Sequence, residues 1–424
     1  MLRRIGIHKG SSKLVLFSVP VALILLTDNI LSFIVPIAIN DVVSSSFLLG
    51  VIMGFSSLAG LFSDYLFPSI FKRIQWRTKF VIAMIMALFF PIISALGMIY
   101  SLIWIFVILC ILWGVYYELL IFSEEAFIDE EEDKNNYSTG WSILLSLNVV
   151  TNIIGPVVGS ALILFPIWNY TFILVGLVAI ALIYTLLMFN DEDNFISLST
   201  TSGKKKRLSI LTNLFNEFPI WKEFLHEMAP LLVLGFMMYW VDMTMFVLGG
   251  VYGIKLVGDN GMEWIIIVLY NLPTVFITLF LLRNHIYKKK KLYATISLLL
   301  TGISFMLIIF LPSNSLLILI PIFLASLGMA FMFPFVKASI SDIARRSGNN
   351  KDNVMGVYNA VGSLACIISP IVMGLVADIY GFSFMFFIMG IVSIIVAILL
   401  LFIMPRKILL NHAKLDSIES ALNK

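Results

Sequence analysis

The chain has 424 residues, of which 60% are hydrophobic and 12% charged, about half the charge content of soluble domains. At about 20 residues per membrane crossing, its apolar residues suffice for about twelve or thirteen spans, which excludes a soluble enzyme, a disordered chain and a globular domain held by one anchor. The net charge of +3 is small and its basic residues lie in short clusters between apolar runs, so nucleic acid is not an expected partner.

In chain order, Arg3, Arg4, Lys9 and Lys13 precede an apolar run that continues to about Ile39 without a small-residue cleavage pattern. It is too long for the core of a signal peptide and reads as a retained first span. Further runs fall at about 47–70, 79–99, 102–122, 142–165 and 168–189, completing a first set of six. A polar stretch follows that holds Lys204, Lys205, Lys206 and Arg207. Its second part, Leu208 to Met228, interleaves Ile, Leu, Phe and Trp with Asn, Glu and Lys and predicts an interfacial helix. A second set of six lies near 229–253, 264–282, 292–312, 315–336, 354–377 and 382–404. The expectation is an all-α membrane protein with twelve transmembrane helices in two six-helix bundles. These cover residues 1–190 and 229–405, with a central loop at 191–228 and a tail at 406–424.

Lys and Arg set the orientation. If both termini are cytoplasmic, the cytoplasmic segments carry 27 of the 28 basic residues, Lys255 being the exception. The acidic run from Glu124 to Asp133 falls in one of these segments. It reads as a solvated loop or as a latch for Arg73, Arg77, Arg345 or Arg346. The two sets of six also share an internal spacing: Gly114 and Gly328 are 214 residues apart, as are Pro156 and Pro370, while Pro20 and Pro230 are 210 apart. Similar offsets in three pairs suggest a duplicated six-helix unit, and an even number of spans per unit makes the copies parallel.

With this 6+6 pattern and long central loop, the chain resembles the major facilitator superfamily over nearly its whole length. Gly60-Leu61-Phe62-Ser63-Asp64 matches the opening of the motif that follows span two, and Lys72, Arg73 and Arg77 supply its basic part after an apparent insertion. Gly155-Pro156-Val157-Val158-Gly159 in span five is similar to the Gly-Pro motif associated with antiporters. Pro370 to Gly374, Asp378 and Gly381 also look like the family's usual sequence. The resemblance implies alternating access around a cavity lined by spans one, four, seven and ten. It also implies gating roles for Gly60, Asp64, Arg73, Arg77, Gly155, Pro156 and Gly159.

Three carboxylates lie within predicted spans: Asp28 in the first, Glu118 in the fourth and Asp242 in the seventh. Charge at the bilayer centre costs about 2.5–3.5 kcal/mol on insertion scales, so each needs a reason. All three fall on the helices that line the cavity in the family resembled. Asp28 and Asp242 read as sites of proton coupling or substrate binding, or as acids hydrogen-bonded between helices. Glu118 reads as an assisting group or as an interfacial residue reaching the cytoplasm. Asn29, Ser32, Tyr239, Phe246, Phe331 and Met332 share helical stripes and are expected to line the cavity. The same Met and Phe stripes also suit packing or lipid contact. Asn148, Asn152, Asn271 and Asn359 are expected to bond between helices, substrate contact being the alternative reading.

No Lys or Arg lies near the middle of a predicted span, which argues against anionic substrates. The combined expectation is a secondary active transporter in the cell membrane, a monomer in contact with lipid, that exchanges protons for cationic or amphipathic small molecules. The alternative is a proton-coupled symporter importing a neutral polar solute such as a sugar or nucleoside. No cofactor, bound metal or enzymatic activity is expected: no Ser/His or Cys/His set lies at depth, no His or Cys pair has ligand spacing, and no phosphate-binding Gly-x-x-x-x-Gly-Lys-Ser/Thr run occurs.

Overall fold

The computed structural model describes residues 11–71, 74–131, 137–189, 221–258, 262–283, 289–312, 315–347 and 351–405. Within them the chain forms α1 (Ser11–Val43), α2 (Ser46–Phe71), α3 (Trp76–Tyr100), α4 (Ile103–Glu131), α5 (Tyr137–Ile163) and α6 (Ile167–Met188). The second half forms α7 (Ala229–Val257), α8 (Ile265–Arg283), α9 (Lys290–Leu307), α10 (Leu319–Arg346), α11 (Lys351–Tyr380) and α12 (Phe382–Ile403). In hydrocarbon the backbone finds no water to bond, so a spanning segment must satisfy its own N–H and C=O groups, and the helix does this within one segment. Eleven described helices are long and apolar enough to cross a membrane; in α8 the apolar stretch, Ile265–Thr278, is shorter.

The helices match the predicted runs one for one and overrun several of them. α4 continues through the first part of the acidic run to Glu131, and α10 continues through Lys337 to Arg346. Charged residues mark where apolar sequence stops. They do not break a helix, since Glu, Lys and Arg are good helix formers. The acidic run is therefore helical through Glu131, while its last residues, together with Lys72, Arg73, residues 190–220 and the tail from 406, lie outside the described residues. Of the expected interfacial helix, 221–227 is helical, and Trp221 donates from its indole to Asn353 Oδ1 at 3.4 Å, docking it on the start of α11.

The two halves repeat the same packing. α1 packs on α5 and α6, α3 on α4 and α6, and α2 on α4; correspondingly α7 packs on α11 and α12, α9 on α10 and α12, and α8 on α10. Gly114 and Gly328 both permit close helix approach, but against different neighbours: Gly114 meets Ser56 of α2, whereas Gly328 meets Ser297 and Thr301 of α9.

The end where α1 begins is called here the near end, and the end where it finishes at Val43 the far end. The halves join at the far end through α2 with α11, α5 with α8 and α1 with α7. Gly50 lets α2 lie directly on the Pro370 backbone of α11; a Cβ there would stand 2.8 Å from the Ile371 nitrogen. Asp378, near the end of α11, caps the start of α2 across the interface, accepting from Ser45 Oγ at 2.7 Å and from the amides of Ser46 and Phe47 at 2.8 and 3.0 Å. Ser160 of α5 donates to Glu263 Oε2 at 2.6 Å, a second tie between the halves at the far end. Among the described residues α4 and α10 make no comparable packing, so the halves part towards the near end.

Candidate substrate cavity

Between the halves, on the near-end side of these contacts, lies a cavity of about 100 Å³ walled by α1, α5, α7 and α8. From α1 it receives Asn29, Ser32 and Phe33, which share one face because positions three and four apart align on a helix. Asn29 is fixed by its Nδ2 donating to Leu25 O at 2.8 Å and to Thr151 Oγ1 of α5 at 3.0 Å, and Ser32 Oγ donates to Asn29 O at 2.9 Å. Gly155 makes this contact possible, since a Cβ there would stand 2.6 Å from Asn29 Cβ. Pro156 and Asn152 of α5, Phe246 of α7 and Asn271 of α8 complete much of the wall. Asn152 and Asn271 bond within their own helices, to Asn148 Oδ1 and Ile267 O, at 2.8 and 2.9 Å, and not between helices as expected.

The carboxylates occupy three different settings. Asp242 faces the cavity and accepts from the Tyr270 hydroxyl at 3.3 Å. Asp28 is one residue from Asn29, about 100° around the helix, and points instead into the first half, against Ala87 and Phe90 of α3 and Tyr116 of α4. There it accepts a 2.6 Å bond from the Trp113 indole. The structure thus does not bring Asp28 and Asp242 into one recess. Glu118 turns towards α2 and is hydrogen-bonded to Asp64, with Gly60 leaving room beside it. A bond between two carboxyl groups needs a proton on one of them, because an ionised carboxylate only accepts. The Asp64 partner is therefore another acid within the same half. Arg77 donates to Leu186 O of α6 at 3.3 Å, tying α3 to α6, and Arg73 lies outside the described residues. Gly159 packs against Phe33.

Two of the expected lining residues on α10 stand elsewhere. Phe331 meets Phe280 of α8 edge-on at 6.2 Å, and Met332 is fully buried. α10 is rotated relative to that expectation, and its Phe333 approaches Tyr239 of α7 at 6.2 Å. One turn on, Lys337 lies over the Phe333 ring at 5.9 Å, its side chain exposed and its charge acting on Asp242. Lys337 lies just past the predicted end of span ten at residue 336, in the last third of α10, so the helix carries a cation that the predicted span leaves out. Ending span ten at residue 336 treated Lys337 as punctuation, although the apolar spacing of Val336, Ile340, Ile343 and Ala344 carries the helix past it. Tyr270, Trp113 and Glu263 were likewise not singled out in the sequence, since one aromatic residue within an apolar span, or one acid just outside it, carries no pattern.

Residues 265–420 match the family model described as Major Facilitator Superfamily. No curated protein matches the chain in sequence. Among solved structures it is similar to a POT family transporter in complex with 5-aminolevulinic acid, at 12% identity and a TM-score of 0.70, covering 92% of this chain and 96% of that one. It is similar to the nucleoside transporter NupG at 13% identity and a TM-score of 0.69, covering 92% and 98%. It also resembles the human organic anion transporter MFSD10 (TETRAN) at 15% identity and a TM-score of 0.64, covering 93% and 100%. At such identities the structures speak for the fold, and the family model for the second half. The chain is thus a multi-pass membrane protein whose residues 265–420 match the Major Facilitator Superfamily model and whose fold, along nearly its whole length, is similar to that of these solved structures.

Proposed function

We propose that the chain is a proton-coupled secondary transporter that exports cationic or amphipathic small molecules by alternating access, with its near end and both termini cytoplasmic. The observation that carries this reading is the cavity between the halves, sealed at the far end by Asp378 and Ser160–Glu263 and walled by the carboxylate of Asp242. Phe33, Met245 and Phe246 supply soft apolar surface beside that carboxylate. Asp242 takes either the proton or the cationic group, so that one displaces the other. Asp28, bonded to Trp113, and the Asp64–Glu118 pair are the further proton-holding groups.

The test is ethidium transport into or out of proteoliposomes under an imposed pH gradient. Wild type should move ethidium only with the gradient, and Asp242→Asn should abolish gradient-driven movement while the protein still folds. Unchanged gradient-driven movement in both Asp242→Asn and Asp28→Asn removes the coupling assignment. A second reading, symport of a neutral polar solute, is favoured by the amides of Asn29, Asn152 and Asn271 in the wall. In keeping with small polar cargo, the fold neighbours are named for nucleosides, organic anions and a complex with 5-aminolevulinic acid.

A further inference from the structure

Asp242 of α7 lines the cavity wall, and Lys337 stands on α10, which packs against the same helix. Asp242 projects from α7 and Lys337 from α10, and the two helices meet where Tyr239 and Phe333 stand 6.2 Å apart. From that level Asp242 is three residues towards the far end and Lys337 four residues towards the near end. At about 1.5 Å per residue their Cα atoms differ in height by about 10 Å. Helical side chains lean towards their own helix N-terminus. α7 begins at the near end and α10 at the far end, so the two charged side chains lean towards each other. The charges are therefore separated along the cavity by an interval on the order of 5–10 Å, with the Tyr239 and Phe333 rings between them.

Closing the near end would strip water from this space. An ammonium at membrane depth then needs an anionic partner, and Asp242 cannot serve fully once it holds a proton or the cationic group of a cargo. A cargo with a single positive charge would leave Lys337 unbalanced, and a simple anion would leave Asp242 so. A cargo carrying both charges leaves neither. We propose that Asp242 and Lys337 form a dipolar site that selects zwitterionic amphipathic molecules, the cationic group seated at Asp242 and a carboxylate or similar anion at Lys337. This rests on the transport reading above and narrows its substrate class.

The test uses the full chain in detergent and a ladder of ω-amino acids from β-alanine to 8-aminooctanoate, each beside the alkylamine and the fatty acid of equal length. Apparent affinities come from thermal-shift titrations. A charge-assisted bond is worth about ten- to a hundredfold in affinity. Wild type should therefore prefer a mid-length ω-amino acid to its amine and its acid by about tenfold or more. Lys337→Gln should reduce that zwitterion to the level of the amine, Lys337→Arg should keep the preference, and Asp242→Asn should reduce it to the level of the acid. Equal binding of zwitterion and amine, an unchanged preference in Lys337→Gln, or no binding by any member of the ladder would each overturn the proposal. A preference without gradient-driven flux removes the transport reading and leaves the dipolar site. Flux without the preference does the reverse.

Discussion

Removing the Asp378 carboxylate by Asp378→Ala should shift the protein away from its far-end-closed state. Asp378 ends one half and caps a helix of the other, accepting from one hydroxyl and two amides at 2.7–3.0 Å. Its loss leaves the first turn of α2 without that acceptor. Losing a helix N-cap costs about 0.5–2 kcal/mol, and the charge at a helix N-terminus adds a few tenths at an exposed position. Because Asp378 is exposed and water can replace part of the bonding, the lower half of that range applies, about 1 kcal/mol. In the open state the two ends of this contact are apart and the substitution removes nothing, so the whole amount changes the equilibrium, about fivefold towards far-end opening. Spin labels at Tyr100 and Leu316, both exposed at the far end, read the distance distribution in detergent or nanodiscs. A long-distance population that grows about fivefold relative to the short one is expected. Unchanged populations, in a protein that still unfolds at the wild-type temperature, would refute the assignment of this contact to the gate.

Glu118→Gln keeps a donor facing Asp64 and should leave thermal stability near wild type, while Glu118→Ala removes the hydrogen bond and should cost about 1–3 kcal/mol in denaturation; equal losses would refute the shared-proton geometry. Gly155→Val forces a side chain onto Asn29, where even a Cβ would stand 2.6 Å from the Asn29 Cβ. It should cost about 1–3 kcal/mol by overpacking. The same substitution at Gly176, which has nothing within 4 Å, should change little in the same unfolding assay.

Much of the architecture was legible because the membrane imposes it. A run of apolar residues long enough to cross must be a helix, so the runs translated one for one into α1 to α12. The depth of Asp28, Glu118 and Asp242 followed from counting along those helices. The direction of each side chain did not. Asn29 and Asp28 are neighbours in sequence, yet Asn29 reaches the central cavity while Asp28 bonds Trp113 inside the first half. Phe331 and Phe333 are two residues apart, yet one packs on α8 and the other meets α7. In a soluble protein the water-facing side of a helix is polar and marks its rotation. Here lipid and neighbouring helices are equally apolar, so a helix can be turned about its axis without the pattern revealing it.

The low charge content met at the start thus determined the class and the number of helices, since both depend on what hydrocarbon tolerates, while the doubling was read from the repeated Gly and Pro spacing. The assignment of Asp64 to Glu118, the far-end closure through Asp378 and the placing of Lys337 opposite Asp242 were decided by tertiary structure alone. Each of these joins residues from different helices, and their meeting is fixed by rotations and crossings that the close approach of small residues such as Gly50 and Gly155 allows.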